Sequence, residues 1–172
     1  MINTDKELQY YQYVMVPGHI AVSDEPTLLC SVCGNGVVVT IWDKFKRTGG
    51  MAHCIFPKRG WGEGPTNYHA SVAIPLLIKQ LKEIGGASTH NLEAQLFGGG
   101  NLNGFSRRRA EKVVNSARRL LRKMSIPIVS EDTGGSLGRK VVFNTYSGDV
   151  VLLKTKKVRR SDWAPEYGLQ IR

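Results

Sequence analysis

Val37–Trp42 is an unbroken run of β-branched and aromatic residues closed by Asp43-Lys44, and it reads as a buried strand. Gly50–Phe56 reads as the next strand, closed by Pro57, and the short polar link Lys44–Gly49 predicts a hairpin between them. Upstream, Tyr13–Val22 is β-rich but broken at Pro17-Gly18. After the glycine-rich stretch Gly60–Pro65 the period changes. Tyr68, Val72, Ala73, Leu76, Leu77 and Leu81 recur at helical spacing, with Thr66 or Asn67 as cap and Gly85-Gly86 as the stop. Pro75 falls inside this pattern and predicts a kink, or a helix that starts close to it. Leu92–Phe97 reads as a strand running into Gly98-Gly99-Gly100. Ser106–Met124 predicts a second helix, with Ala110, Val113, Val114, Ala117, Leu120 and Leu121 on one face and arginines on the other. Ile126–Val129, Lys140–Phe143 and Val150–Leu153 read as three strands, with turns at Gly134-Gly135 and Ser147-Gly148. Strands joined by short turns alternate with helices. The expectation is one α/β (α+β) sandwich of mixed β-sheet layers flanked by helices over residues 1–160, with residues 161–172 as a C-terminal tail.

Length and composition agree with one globular unit: 172 residues, 41% hydrophobic, with 19 glycines for turns. The apolar runs are too short to cross a bilayer, and Met1–Gln9 has no signal-peptide core, so the expected location is the cytoplasm, without membrane insertion. Cys30, Cys33 and Cys54 are an odd set in an unsecreted chain, which argues against a disulfide framework. Cys30, Cys33, His53 and Cys54 offer zinc-type ligands, but His53 and Cys54 are adjacent and point to opposite faces of a strand, so no metal is expected. The glycine run lacks the Gly-Lys-Ser/Thr ending of a P-loop and the spacing of a dinucleotide fingerprint, so neither a nucleotide nor any other cofactor is expected.

The net charge of +10 points to acidic partners, and it concentrates in Arg107–Lys123 and Lys154–Arg160. No nucleic-acid reader motif accompanies it and no aromatics interleave with its basic residues. A docking face for an acidic protein is therefore preferred over nucleic acid.

Four segments resemble the family of chemoreceptor glutamine deamidases, CheD. They are Gly49-Gly50-Met51-Ala52-His53 followed by Pro57; Phe97-Gly98-Gly99-Gly100-Asn101; Ile126-Pro127-Ile128-Val129 with Glu131-Asp132; and Gly134-Gly135 with Gly138-Arg139-Lys140-Val141 and Phe143. The resemblance implies hydrolysis of glutamine side chains in methyl-accepting chemoreceptors by a cysteine nucleophile, a histidine base and a threonine that orients the histidine. It also implies the receptor cytoplasmic domain and the phosphatase CheC as partners.

On that basis His53 takes the histidine position. The family's nucleophile segment has two alignments here. With three residues inserted, Thr27 and Cys33 occupy the threonine and cysteine positions, with Cys30 the second candidate thiol. Without a gap, the nucleophile position is Gly36 and the threonine position Cys30, which implies a degenerate member that binds a receptor or CheC without hydrolysis. Backbone amides of Gly34–Gly36 are candidate oxyanion donors, and Asn101 and Gly99 are candidate substrate-binding residues. At the second helix start, Phe105-Ser106-Arg107-Arg108-Arg109 keeps only Arg108 of the family pattern.

Overall fold

The computed structural model describes residues 9–60, 62–104 and 107–163. The N-terminal segment through Leu8, the Phe105-Ser106 part of the second helix start, Trp61 of the glycine-rich stretch and tail residues 164–172 lie outside the described residues.

Among the described residues, nine strands form two mixed sheets. They are β1 (Tyr11–Met15), β2 (Ile20–Ser23), β3 (Thr27–Cys33), β4 (Val37–Asp43), β5 (Thr48–Cys54), β6 (Leu92–Gly98), β7 (Ile128–Thr133), β8 (Gly138–Asn144) and β9 (Val150–Thr155). One sheet has the order β1-β3-β8-β9 and the other β2-β5-β4-β6-β7. β1 runs parallel to β3 and β6 parallel to β7; the other pairings are antiparallel. Helices α1 (Ala70–Gly85) and α2 (Arg107–Lys123) pack on the five-stranded sheet. The result is the expected α+β sandwich in three layers: helices, five-stranded sheet, four-stranded sheet.

Two cores follow from this layering. Val37, Val39 and Ile41 of β4 face the helices and meet Ile74, Leu77 and Leu121. Val38 of the same strand faces the other sheet, among Met15, Leu29, Met51 and Phe143. Both faces of β4 are covered, which explains why its sequence is apolar without alternation. The hairpin from β4 to β5 forms as expected, with Val38 opposite His53.

Three local features go beyond the sequence expectations or depart from them. Thr27–Cys33 is a strand, although it lacks strict alternation, because its inner face packs on the other sheet while its neighbours β1 and β8 lie far away in sequence. α1 is capped at His69 and not by Thr66 or Asn67; the Thr66 hydroxyl instead bonds the His69 ring at 2.9 Å. Arg160–Trp163 forms a 3-10 turn whose Trp163 indole N–H donates to the Val32 carbonyl at 2.8 Å, so the chain past β9 folds back over β3.

Candidate functional site

β5 directs His53 between the two sheets, where it is 2% exposed. Its Nδ1 lies 2.9 Å from the Ser31 hydroxyl of β3. That hydroxyl spends its one proton on the Met15 carbonyl, at 3.0 Å. Ser31 therefore accepts from Nδ1–H, which fixes the tautomer and leaves the lone pair on Nε2. Burial, with a smaller contribution from His19, lowers the His53 pKa to about 4, so the ring is neutral at physiological pH. A neutral imidazole held in this tautomer is competent to accept a proton at Nε2.

What Nε2 faces is Gly36. A Cβ on Gly36 would stand 3.3 Å from Nε2, but 2.6 Å from the Cys54 carbonyl oxygen and 3.0 Å from Ile55 Cγ2. The glycine allows the loop between β3 and β4 to press against the end of β5. The loop is then clasped by the glycine-rich turn after β6. Gly99 N–H donates to the Gly36 carbonyl at 2.7 Å, Gly100 N–H to the Gly34 carbonyl at 3.0 Å, and Leu102 N–H to Asn35 Oδ1 at 3.1 Å. Gly99 has φ of 65°, and a Cβ there would collide with Val114 of α2. Its backbone N–H is thus engaged in the clasp. Asn101 is exposed at the outer end of this turn, with its backbone N–H bonded to Gly135 at 2.8 Å.

His53 and Gly36 lie in a cleft of about 330 Å³. Ile55 and Phe56 form one side, and Val158 and Trp163 from the C-terminal segment form another. Leu102 closes the rim, while Asn101 is not among the lining residues.

The candidate thiols sit in different surroundings. Cys33 is fully buried in the core between the sheets, and its Sγ donates to the Phe97 carbonyl at 3.6 Å. Burial pushes its pKa up to about 12, against the opposing pull of Arg139. Cys30 points to the other face of β3, and burial raises its pKa as well. Among the described residues, the His53 ring has one hydrogen-bond partner, and it is Ser31. The Thr27 hydroxyl bonds Ser23 Oγ at 2.9 Å and the Glu25 carbonyl at 3.1 Å. No group of three or more His, Cys, Asp or Glu suited to a metal occurs among the described residues.

Beneath the turn, the Arg139 guanidinium is buried against Asp132, with Nη2–Oδ1 at 2.6 Å, and Lys154 Nζ pairs with the second oxygen, Oδ2, at 2.8 Å. Arg139 Nη1 also donates to the Leu137 carbonyl at 2.6 Å. These bonds hold β7, β8 and β9 together below the clasp. Ser31, Val158 and Trp163 are site residues that the sequence reading passed over. A serine between Leu29 and Cys33, on the inward positions of an otherwise apolar strand, is the signal by which Ser31 could have been found.

Residues 57–154 match the family model described as CheD chemotactic sensory transduction. That segment starts after both Gly36 and His53. A "Probable chemoreceptor glutamine deamidase CheD" of Trichlorobacter lovleyi is 35% identical over 151 residues, covering 85% of this chain and 92% of that protein. A "Probable chemoreceptor glutamine deamidase CheD 1" of Methanosarcina acetivorans is 36% identical, covering 71% of this chain and 77% of that protein. Among solved structures, the Bacillus licheniformis hypothetical protein YfiH aligns over 68% of this chain and 49% of its own, with 15% identity and a TM-score of 0.43. No helix among the described residues is long and apolar enough to cross a membrane.

Proposed function

This chain belongs to the CheD family, and we propose that it works in the cytoplasm as a receptor-binding member that engages a chemoreceptor without hydrolysing its glutamines. The observation that carries this reading is the glycine at position 36, facing Nε2 of His53 where a covalent mechanism needs a thiol. The imidazole, the Ser31 hydroxyl on its Nδ1 and a cleft beside it are present, which supports a binding site. Amide hydrolysis by this route requires an attacking sulfur and a proton acceptor in one hydrogen-bonded pair. Here the acceptor faces a backbone, and the inward thiol of β3 is bonded to Phe97. In this reading the cleft holds a receptor side chain, and CheC is the second expected partner.

A second reading is glutamine deamidation through Cys33 and His53. It draws on the printed names of the relatives and on the intact Ser31–His53 pair. It requires the Cys33 sulfur to leave the Phe97 carbonyl and reach Nε2, with Ser31 in the orienting role proposed for Thr27. Asn101 and Gly99 would then contact the substrate amide only after the glycine clasp opens, because the Gly99 N–H is bonded to Gly36.

One experiment separates the two. A purified chemoreceptor cytoplasmic domain is incubated with the wild-type chain, with Cys33→Ala and with Gly36→Cys, and glutamine-to-glutamate conversion is followed by mass spectrometry alongside co-sedimentation. Binding without conversion by the wild-type chain, and conversion by Gly36→Cys, is the expected result. Conversion by the wild type that disappears in Cys33→Ala overturns the binding-only reading.

A further inference from the structure

A second concavity adjoins the cleft. It has a volume of about 650 Å³ and is lined by Lys58, Lys112, Asn115, Arg118, Arg119 and Arg122, with Pro57 at its edge. Phe56 lines the cleft and Pro57 the groove, so the two meet across one peptide bond. The Ser116 hydroxyl donates to the Pro57 carbonyl at 2.8 Å and fixes that connection to α2.

Among the described residues, four of the five cations in this groove are uncompensated. Arg118 is braced by Glu131 at 3.0 Å, by Asn115 at 3.0 Å and by Thr133 at 2.9 Å. Lys58, Lys112, Arg119 and Arg122 make no ion pair among the described residues. Lys112, Asn115, Arg119 and Arg122 form one stripe of α2 at spacings that bring cations within mutual repulsion. Glu111, the acidic residue of α2, is paired with Arg107 at 2.9 Å and offsets none of them. The groove thus concentrates a positive field beside a cleft whose lining carries no charged side chain, its polar side chains being Asn35 and the neutral His53 imidazole.

We propose that this groove is the docking surface for an acidic, glutamate-rich protein segment, which lies along α2 while a neighbouring side chain of the same partner enters the His53 cleft. The second half of that statement rests on the receptor-binding reading above; the first half does not. A protein is favoured over nucleic acid because no aromatic side chain lines the groove to stack a base. The adjoining cleft also has no Lys or Arg among its lining residues to hold a phosphate.

The test uses the full chain and a fluorescent peptide of about 20 residues, mostly glutamate, read by anisotropy at roughly 50 and 200 mM salt, the range over which counterion effects are large. The variant is Lys112→Glu/Arg119→Glu/Arg122→Glu, all at exposed positions without side-chain bonds among the described residues; its melting temperature reports whether the fold is intact. The wild-type chain is expected to bind the peptide, more weakly at high salt, and the folded variant about tenfold more weakly or less, with a flatter salt dependence. No binding by the wild-type chain, or equal binding by the variant, overturns the proposal. Tighter binding of a single-stranded oligonucleotide than of the peptide overturns it in favour of nucleic acid. Co-sedimentation with the receptor domain is read separately: peptide binding without receptor binding sinks the receptor reading and leaves the groove assignment standing.

Discussion

The buried imidazole makes stability depend on pH in a window that can be worked out from its surroundings. His53 has a folded-state pKa of about 4, set chiefly by burial, whereas an unfolded histidine titrates near 6.5. Between those values the unfolded chain binds a proton that the folded chain does not, so stability rises with pH. Its contribution is complete above about pH 6.5 and is lost as pH falls towards 4. The gap of about 2.5 units, at roughly 1.4 kcal/mol per unit, corresponds to about 3 kcal/mol. His53→Gln is the informative perturbation, because an amide stays neutral and can still donate to Ser31. Urea unfolding of both proteins, followed by circular dichroism from pH 7.5 to pH 4.5, gives the comparison. Carboxylates such as Asp132, whose pKa Lys154 and Arg139 hold down, lose stability in both proteins and cancel in the difference. The variant is expected to be less stable at neutral pH and to close most of that gap by pH 4.5. Parallel stability profiles for the two proteins would refute the assignment of a buried, neutral His53.

Two further outcomes follow from the same geometry. With the thiols of Cys33 and Cys54 pushed up to about 12, and that of Cys30 raised, the native chain is expected to resist iodoacetamide at pH 7.5 and to alkylate only through the urea transition; rapid native labelling of Cys33, read by peptide mass, would contradict its place in the core and favour the second reading. Asp132→Asn leaves the nearly buried Arg139 guanidinium without its carboxylate and is expected to cost about 3 kcal/mol in denaturant unfolding, at the low end for a broken buried pair because the Leu137 carbonyl remains; a loss well under 1 kcal/mol would show that the pair does not brace the three strands.

Gly36→Cys bears on the site more directly. The Cβ that it adds must fit where the Cys54 carbonyl stands at 2.6 Å, so β4 and β5 have to part slightly, at a cost of about 1–3 kcal/mol. The same substitution brings a sulfur to the nitrogen that Ser31 has already oriented. Lost stability together with a newly reactive thiol is the expected signature, and a folded variant whose new thiol is inert would show that Nε2 does not serve position 36.

The elements that the sequence disclosed are those whose pattern is local. Val37–Trp42 and its hairpin partner, the two amphipathic helices and the terminal hairpin each carry their own period, and each is where its period put it. β3 was less legible because both of its faces meet protein and its pairing partners, Tyr11–Met15 and Gly138–Asn144, lie elsewhere in the chain. That strand decides the site. Thr27 and Cys33 share its inward face, but six residues of extended chain separate them by about 20 Å, more than one imidazole can span. Ser31 lies between them and takes Nδ1, while the turn after β3 brings Gly36 back to Nε2. Spacing alone fits a threonine–cysteine pair at positions 27 and 33 as well as a glycine at 36; the extended backbone favours Ser31, His53 and Gly36 as the three positions gathered at one ring. In the receptor-binding reading, residue 36 is therefore the position that decides whether this cleft performs chemistry. In this chain it is a glycine whose carbonyl accepts from Gly99 N–H, so on that reading the site has a proton acceptor and walls without a thiol, and the proposed acidic partner would be selected through the basic groove alongside.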